Sequence, residues 1–302
     1  MRPESLKAGD KVILVSPAGA IDENLLFWPM EQLESWGLKP ILTENSRSQW
    51  GSFAGKDELR RKTFQEAIDD PEIKAIFCAR GGYGSTRIIE DLNWERFIEN
   101  PKWIIGYSDI TTIHNRLHQL DIESLHGTMP INYKTNTQFA MDSLKNSLFN
   151  APPSYAVDGT NYNKPGKAEG KMVGGNLSIV HNLIGTKFNI QFKDNILFLE
   201  EVGEYYYSVD RMLWALKHAG VFDEISGLII GSFTDIKQDE TPFPESLEQM
   251  ILKFVEHRDI PVFFKFPAGH QDDNWTVVMS GKYKMEVTDK NATIEYVLPG
   301  HG

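Results

Sequence analysis

The sequence predicts an α/β protein whose first half is a doubly wound parallel sheet. Three observations carry this. Short apolar runs alternate with segments of helical spacing as far as Leu120. Each apolar run closes on a turn signal, which is the signature of strands joined through helices. The composition, 41% hydrophobic and 24% charged, is that of an ordinary globular chain.

The elements follow in order. Lys11-Val12-Ile13-Leu14-Val15-Ser16 is a short apolar run closed by Pro17-Ala18-Gly19, which reads as a buried strand and turn. Asn24 to Trp36 can present Leu26, Met30, Leu33 and Trp36 on one helical face, and Gly37 is its stop. Lys39 to Thr43 is the second strand. Lys56 to Asp69 is a charged helix carrying Leu59, Phe64 and Ile68, ended by Asp70-Pro71. Ala75 to Ala79 is the third strand, broken by Gly81-Gly82-Tyr83-Gly84. Ser85 to Leu92 reads as helix, Trp103 to Gly106 as the fourth strand and Ile110 to Leu120 as helix. In such sheets, sites gather at the carboxyl ends of the strands.

A chain of 302 residues suits two domains. Residues 134–170 change character: Lys134 to Gln138 is polar, and Ala151 to Gly166 is rich in Pro, Asn and Gly. This places an N-terminal domain at 1–150, a linker at 151–170 and a C-terminal domain at 171–302. The second half holds strands at Asn195 to Glu200, Ile225 to Gly231, Pro261 to Lys265 and Thr276 to Gly281, then Lys284 to Val297. Its helices are Ser208 to Ala219 and Glu245 to His257.

Lys and Arg total 31 against 42 Asp and Glu, a net charge of −11. That balance lacks the electrostatic footprint of a nucleic-acid binder and repels an anionic membrane surface. The single cysteine, Cys78, excludes an intrachain disulfide and a multi-cysteine zinc site. Met1 to Gly9 is polar, and Val12 to Val15 is shorter than the roughly 7–15 residues of a signal-peptide core. No apolar run approaches the roughly 20 residues that span a bilayer. The expectation is a cytoplasmic protein.

Candidate chemistry begins at Ile104-Ile105-Gly106-Tyr107-Ser108-Asp109-Ile110-Thr111, where an apolar strand runs through a serine into a helix. A nucleophilic serine needs this setting: a sharp turn exposes the hydroxyl, and the helix start supplies free N–H groups for an oxyanion. The hydrolase elbow carries a second glycine where this chain has Ile110, and Ser108 or Asp109 as a plain helix cap is the competing reading. Arg80-Gly81-Gly82-Tyr83-Gly84-Ser85 follows the third strand. Its glycine spacing departs from the dinucleotide fingerprint, so it is either a tight turn or a donor of backbone N–H groups.

A serine needs a base, and the base an orienting acceptor. Of the 8 histidines, His114 and His118 stand at i, i+4 on a helix, where a surface position is expected. His126 lies in a loop-like stretch, His181 and His218 in helical patterns, His257 near a helix end and His301 in the tail. His270 sits in a loop between two strands, where catalytic histidines are often held. Glu200-Glu201 directly follows an apolar strand and offers the acceptor, against the alternative of a solvated acidic turn. No metal-ligating cluster is apparent and no cofactor is implied.

In this order and spacing the segments resemble the LD-carboxypeptidase family of serine peptidases, which includes muramoyl-tetrapeptide carboxypeptidases and microcin C self-immunity peptidases. The resemblance runs through Val15 to Gly19, Ala79 to Gly84, Gly106 to Thr111, His126-Gly127 and Gly174 to Leu177. It continues through Leu199 to Glu204, Asp210 to Leu213, Gly231 to Phe233 and Pro267 to His270. It implies Ser108 as nucleophile, His270 as general base and Glu200 as orienting acid. Backbone N–H groups of Gly82 and Asp109 would form the oxyanion hole, with Arg80, Gly81 and Tyr83 near the substrate. Ser108 comes from the first domain and the other two from the second, so the expected site lies between domains. The resemblance also implies a mixed α/β, barrel-like C-terminal domain, a homodimer, and a murein tetrapeptide-like substrate losing its C-terminal D-alanine. A microcin C-type peptidyl-nucleotide substrate is the alternative within the family. A nucleotide or sugar binder using the Gly81–Gly84 turn is the alternative outside it.

Overall fold

The computed structural model describes residues 1–298, so His301 lies outside the described residues. The chain divides into two units, Met1–Pro152 with Asp272–Val278, and Pro153–Gln271 with Met279–Gly302.

The first unit runs β1 (Lys11–Val15), α1 (Phe27–Ser35), β2 (Lys39–Leu42), α2 (Asp57–Asp69), β3 (Ile73–Cys78), α3 (Glu95–Glu99), β4 (Trp103–Gly106), α4 (Thr111–Gln119), β5 (Ser124–His126) and α5 (Gln138–Phe149). Its six-stranded sheet has the order β5-β4-β3-β1-β2, with Val277–Met279 added beside β5. β1 to β5 pair in parallel. The order reverses between β1 and β3, so the loops after these two strands flank the crevice where α/β sheets place their ligands. β4 is buried at every position, as a strand covered on both faces must be.

Several features differ from the sequence reading. Ser85 to Leu92 is not one helix but two 3₁₀ turns, Ser85–Arg87 and Ile89–Asp91. The Ser85 N–H is taken by the Asp109 carboxylate at 2.7 Å, which fixes the chain in a turn. The stretch around His126 is a strand, because Ile105 and Gly106 pair with Leu125 and His126. α5 escapes an apolar-periodicity reading because its buried face includes Ser143 and Ser147, whose hydroxyls bond within the unit.

The second unit runs β6 (Tyr155–Asp158), β7 (Gly166–Asn176), α6 (Leu177–Leu183), β8 (Ile196–Val202), α7 (Tyr206–His218), α8 (Val221–Glu224), β9 (Gly227–Thr234), α9 (Leu247–Leu252) and β10 (Val262–Phe263). The next strand, β11 (Val277–Met279), is the one in the first sheet, and β12 (Lys282–Val287) and β13 (Asn291–Tyr296) complete the second. The order is β10-β9-β8-β7-β12-β13-β6. β7 to β10 pair in parallel, and β12, β13 and β6 are antiparallel, so the sheet is mixed. It curls: Lys164 bridges Val262 of β10, and the Tyr155 ring of β6 lies 5.5 Å from that of Phe266. Residues 151–170 therefore contain β6 and the start of β7. Only Leu247–Leu252 of the expected 245–257 helix is regular α-helix, opened by a capping box at Ser246 and Gln249. Lys284 to Val297 is the end of one strand and a second, in antiparallel pairing.

One face of β7–β9 carries the apolar core of this unit, with Leu197 and Leu199 packed among Leu213, Phe222 and Phe254. Side chains alternate along a strand. Phe198 and Glu200 therefore face the other side, where the Phe198 ring meets Phe266 edge-on at 6.4 Å.

Candidate active site

In the first unit, β4 ends in extended backbone at Tyr107, and Ser108 then turns to φ +64°. A non-glycine residue in this left-handed region stores strain of about 1–2 kcal/mol and throws its side chain out of the strand line. Caps adopt extended φ and ψ, so Ser108 is not the cap of the helix that follows. Ser108–Ile110 forms a 3₁₀ turn that runs into α4. The Asp109 side chain is no cap either, since its Oδ2 accepts from Ser85. Burial raises the Asp109 carboxyl above its ordinary value, and the bonds from Ser85 and Gly84 oppose that.

The glycine turn lies against this serine. A Cβ on Gly81 would stand 2.8 Å from Ser108 Cβ and 3.0 Å from its Oγ, so only glycine fits. Gly82 follows at φ +107°. The Gly19 N–H donates to the Gly81 carbonyl at 3.1 Å, which joins the loops after β1 and β3. Arg80 is half-buried and its Nη1 donates to the Ala20 carbonyl at 2.8 Å. Tyr83 is 56% exposed, with its ring 6.1 Å from that of Phe53.

His114 and His118 are buried, not on a helix surface as expected. His114 Nε2 meets the Gly106 carbonyl at 2.8 Å, so this nitrogen carries the proton, and Nδ1 meets Ser124 Oγ at 2.8 Å. Burial lowers its pKa to about 4, against the pull of the Gly106 carbonyl. It is a neutral strut behind the strand end that presents Ser108. The i, i+4 spacing points to a helix surface, and nothing in it signals this role. Cys78 is fully buried in β3, and burial pushes its thiol far up, so it is core filling.

In the second unit, Glu200 is fully buried on β8 and its Oε2 meets His270 Nδ1 at 2.6 Å. The loop carrying His270 is held along β9: Ser232 N–H donates to Ala268 at 2.8 Å, and Thr234 Oγ1 to the His270 carbonyl at 3.0 Å. Gly269, at φ +122°, leaves the space Glu200 needs, since a Cβ there would come within 2.8 Å of its Oε2. Burial opposes the imidazolium, yet the charge and hydrogen bond of Glu200, with the charge of Glu201, leave the His270 pKa above its ordinary 6.5.

Glu201 points to the opposite face. It accepts from Asn176 Nδ2, from Ser178 N and Oγ, and from the Val202 N–H, at 2.7–3.0 Å. Those bonds anchor the start of α6. Burial raises its carboxyl above the usual value, and the four donors oppose the rise. Of the two adjacent acids, Glu200 is therefore the one on His270. Of the other histidines, His126 is buried in β5, His181 is half-buried on α6, and His218 and His257 are exposed.

The models of the LD-carboxypeptidase N-terminal and C-terminal domains match residues 12–127 and 169–285. A "probable murein peptide carboxypeptidase" of Bacillus subtilis is 31% identical over 306 residues, covering 97% of this chain and 94% of its own. The murein tetrapeptide carboxypeptidase of Pseudomonas aeruginosa is 29% identical over 281 residues, covering 87% and 89%. The solved structure of the microcin C7 self-immunity protein MccF matches with a TM-score of 0.86 at 21% identity, over 99% of this chain and 100% of that one, a likeness of fold. The chain belongs to the LD-carboxypeptidase family.

Proposed function

We propose that this protein is a serine carboxypeptidase that hydrolyses an L,D-amide bond and releases C-terminal D-alanine from a murein tetrapeptide. The observation that carries the chemistry is Ser108, strained to φ +64° at the end of a buried strand with a glycine turn against its hydroxyl. The buried Glu200–His270 pair supplies the complementary half of a triad.

In this reading Glu200 accepts from His270 Nδ1–H and fixes the tautomer. That leaves Nε2 free to take the Ser108 proton as the hydroxyl attacks the scissile carbonyl. The Gly82 and Asp109 N–H groups hold the oxyanion. His270 then protonates the leaving amine of D-alanine, and water, activated by the same imidazole, hydrolyses the acyl-enzyme. Arg80, Gly81 and Tyr83 border the peptide, with Arg80 the cation for its carboxylate. The murein substrate is supported by the names of the two relatives, and no observation here favours a peptidyl-nucleotide over it. The protein acts as a homodimer in the cytoplasm and needs no cofactor.

The test is D-alanine release from an L,D-linked tetrapeptide by the native protein and by Ser108→Ala, with a peptidyl-nucleotide amide as second substrate. Native turnover of the tetrapeptide, reduced at least 10³-fold in a folded Ser108→Ala protein, is expected from loss of the nucleophile. Equal rates overturn the triad, and a preference for the nucleotide conjugate overturns the substrate.

A further inference from the structure

We propose that Arg60 is a positioning residue for the turn that carries the oxyanion donor, an inference resting on the oxyanion role given to Gly82 above. α2 is a charged helix, yet its Arg60 is 0% exposed. A buried guanidinium is costly unless its donors are matched. Here Nη1 donates to the Pro17 carbonyl at 2.5 Å and the Gly84 carbonyl at 2.9 Å, and Nη2 pairs with Asp57. Pro17 lies after β1 and Gly84 after β3, so one side chain ties together the two loops at the point where the strand order reverses.

The Gly84 carbonyl belongs to the same peptide unit as the Ser85 N–H. Arg60 holds the oxygen of that peptide and Asp109 holds its hydrogen, at 2.7 Å from Oδ2 to N. A planar peptide gripped at both ends cannot rotate. The turn from Gly81 to Gly84 is then fixed at its far end by this clamp. It is fixed at its near end by the Gly19 N–H on the Gly81 carbonyl. The Gly82 N–H belongs to the same peptide unit as the Gly81 carbonyl, so Gly19 sets the plane of that peptide, and the Arg60 clamp fixes the rest of the turn that joins it to Ser85. Gly84 must lack a side chain because a Cβ there would stand 2.6 Å from Arg60 Nη1. The guanidinium thus fills the place a side chain would occupy.

Arg60 is fully buried, so its removal is expected to leave ground-state binding intact and to loosen a donor that matters in the transition state. The test compares native protein, Arg60→Ala and Arg60→Lys on the L,D-tetrapeptide, with Ser108→Ala alongside and folding checked by circular dichroism. Arg60→Ala is expected to lower kcat about 10²-fold with KM within threefold, and millimolar guanidinium to recover at least a tenth of the loss. Arg60→Lys, which keeps the charge but cannot reach both carbonyls, is expected to lose about 10-fold in kcat. A folded Arg60→Ala with native kcat, a loss confined to KM, or no recovery with guanidinium overturns the proposal. Should Arg60→Ala not fold, Arg60→Lys decides, and native kcat there overturns it. If Ser108→Ala keeps its activity, the triad reading fails first and is recognised as such. An inactive Ser108→Ala beside a fully active Arg60→Ala sinks the Arg60 role alone.

Discussion

Glu200 and Glu201 are consecutive and both buried, yet they serve opposite faces of β8 because a strand alternates every residue. Glu200 has one strong partner, His270, whereas Glu201 is saturated by four donors from the start of α6 and its own strand. The two carboxylates should therefore separate experimentally. Glu201→Ala strands four donors and is expected to cost about 3 kcal/mol in urea unfolding, with kcat retained in the folded fraction. Glu200→Gln should fold normally and lose most of its kcat. The sign of the pH effect follows from the raised His270 pKa. A general base must be neutral, so the acid limb of kcat/KM should lie above pH 6.5 in the native protein. Without the Glu200 charge, desolvation is left unopposed by its main counterweight, and the limb should move to lower pH. A limb that stays in place would remove Glu200 from the base's control. The imidazolium–carboxylate pair also contributes stability that is full below pH 6.5 and fades as pH rises through the folded pKa.

At the scale of elements, the candidate site residues lie where strands meet turns. Gly81 makes this testable, because adding one methyl group places a Cβ 2.8 Å from Ser108 Cβ. Gly81→Ala should push the serine off its position and lower kcat at least 10²-fold, with modest change in melting temperature, since the site is at a loop end. Native kcat in Gly81→Ala would show that the close approach is not used. The strand-to-serine turn and the glycine turn were legible in sequence because each joins a buried apolar run to residues of special backbone conformation. α5, β5 and the buried states of His114 and Arg60 were not. α5 buries serines, β5 is only three residues long, and His114 and Arg60 look like surface residues until backbone carbonyls are brought to them. A sequence displays apolar periodicity, but it does not display which carbonyls a fold leaves in need of donors.

At the scale of the molecule, the chain does not simply finish one unit and begin the next. Asp272–Val278 belongs to the first unit although the segments on either side of it belong to the second. Its contribution is specific. The Asp272 carbonyl accepts from Thr137 N and Asn136 Nδ2 at 3.0 and 2.8 Å, and Asp273 accepts from Thr137 Oγ1 at 2.5 Å. Thr276 bonds Ser143 Oγ of α5 through its N–H and hydroxyl at 3.0 and 3.2 Å, and β11 joins the sheet beside β5. A fragment of residues 1–152 would keep its five parallel strands but lose that strand and the partners of the first turn of α5. Its sheet would then end on β5, a three-residue strand with an open row of N–H and C=O groups. The fragment should therefore unfold at lower urea than the same region of the whole chain, followed by a tryptophan such as Trp103 that is buried in β4. A synthetic peptide spanning 270–280, added in excess, should raise the midpoint in a concentration-dependent way, because it binds only the folded sheet. A fragment as stable as the whole chain, and indifferent to the peptide, would show that the returning strand is dispensable.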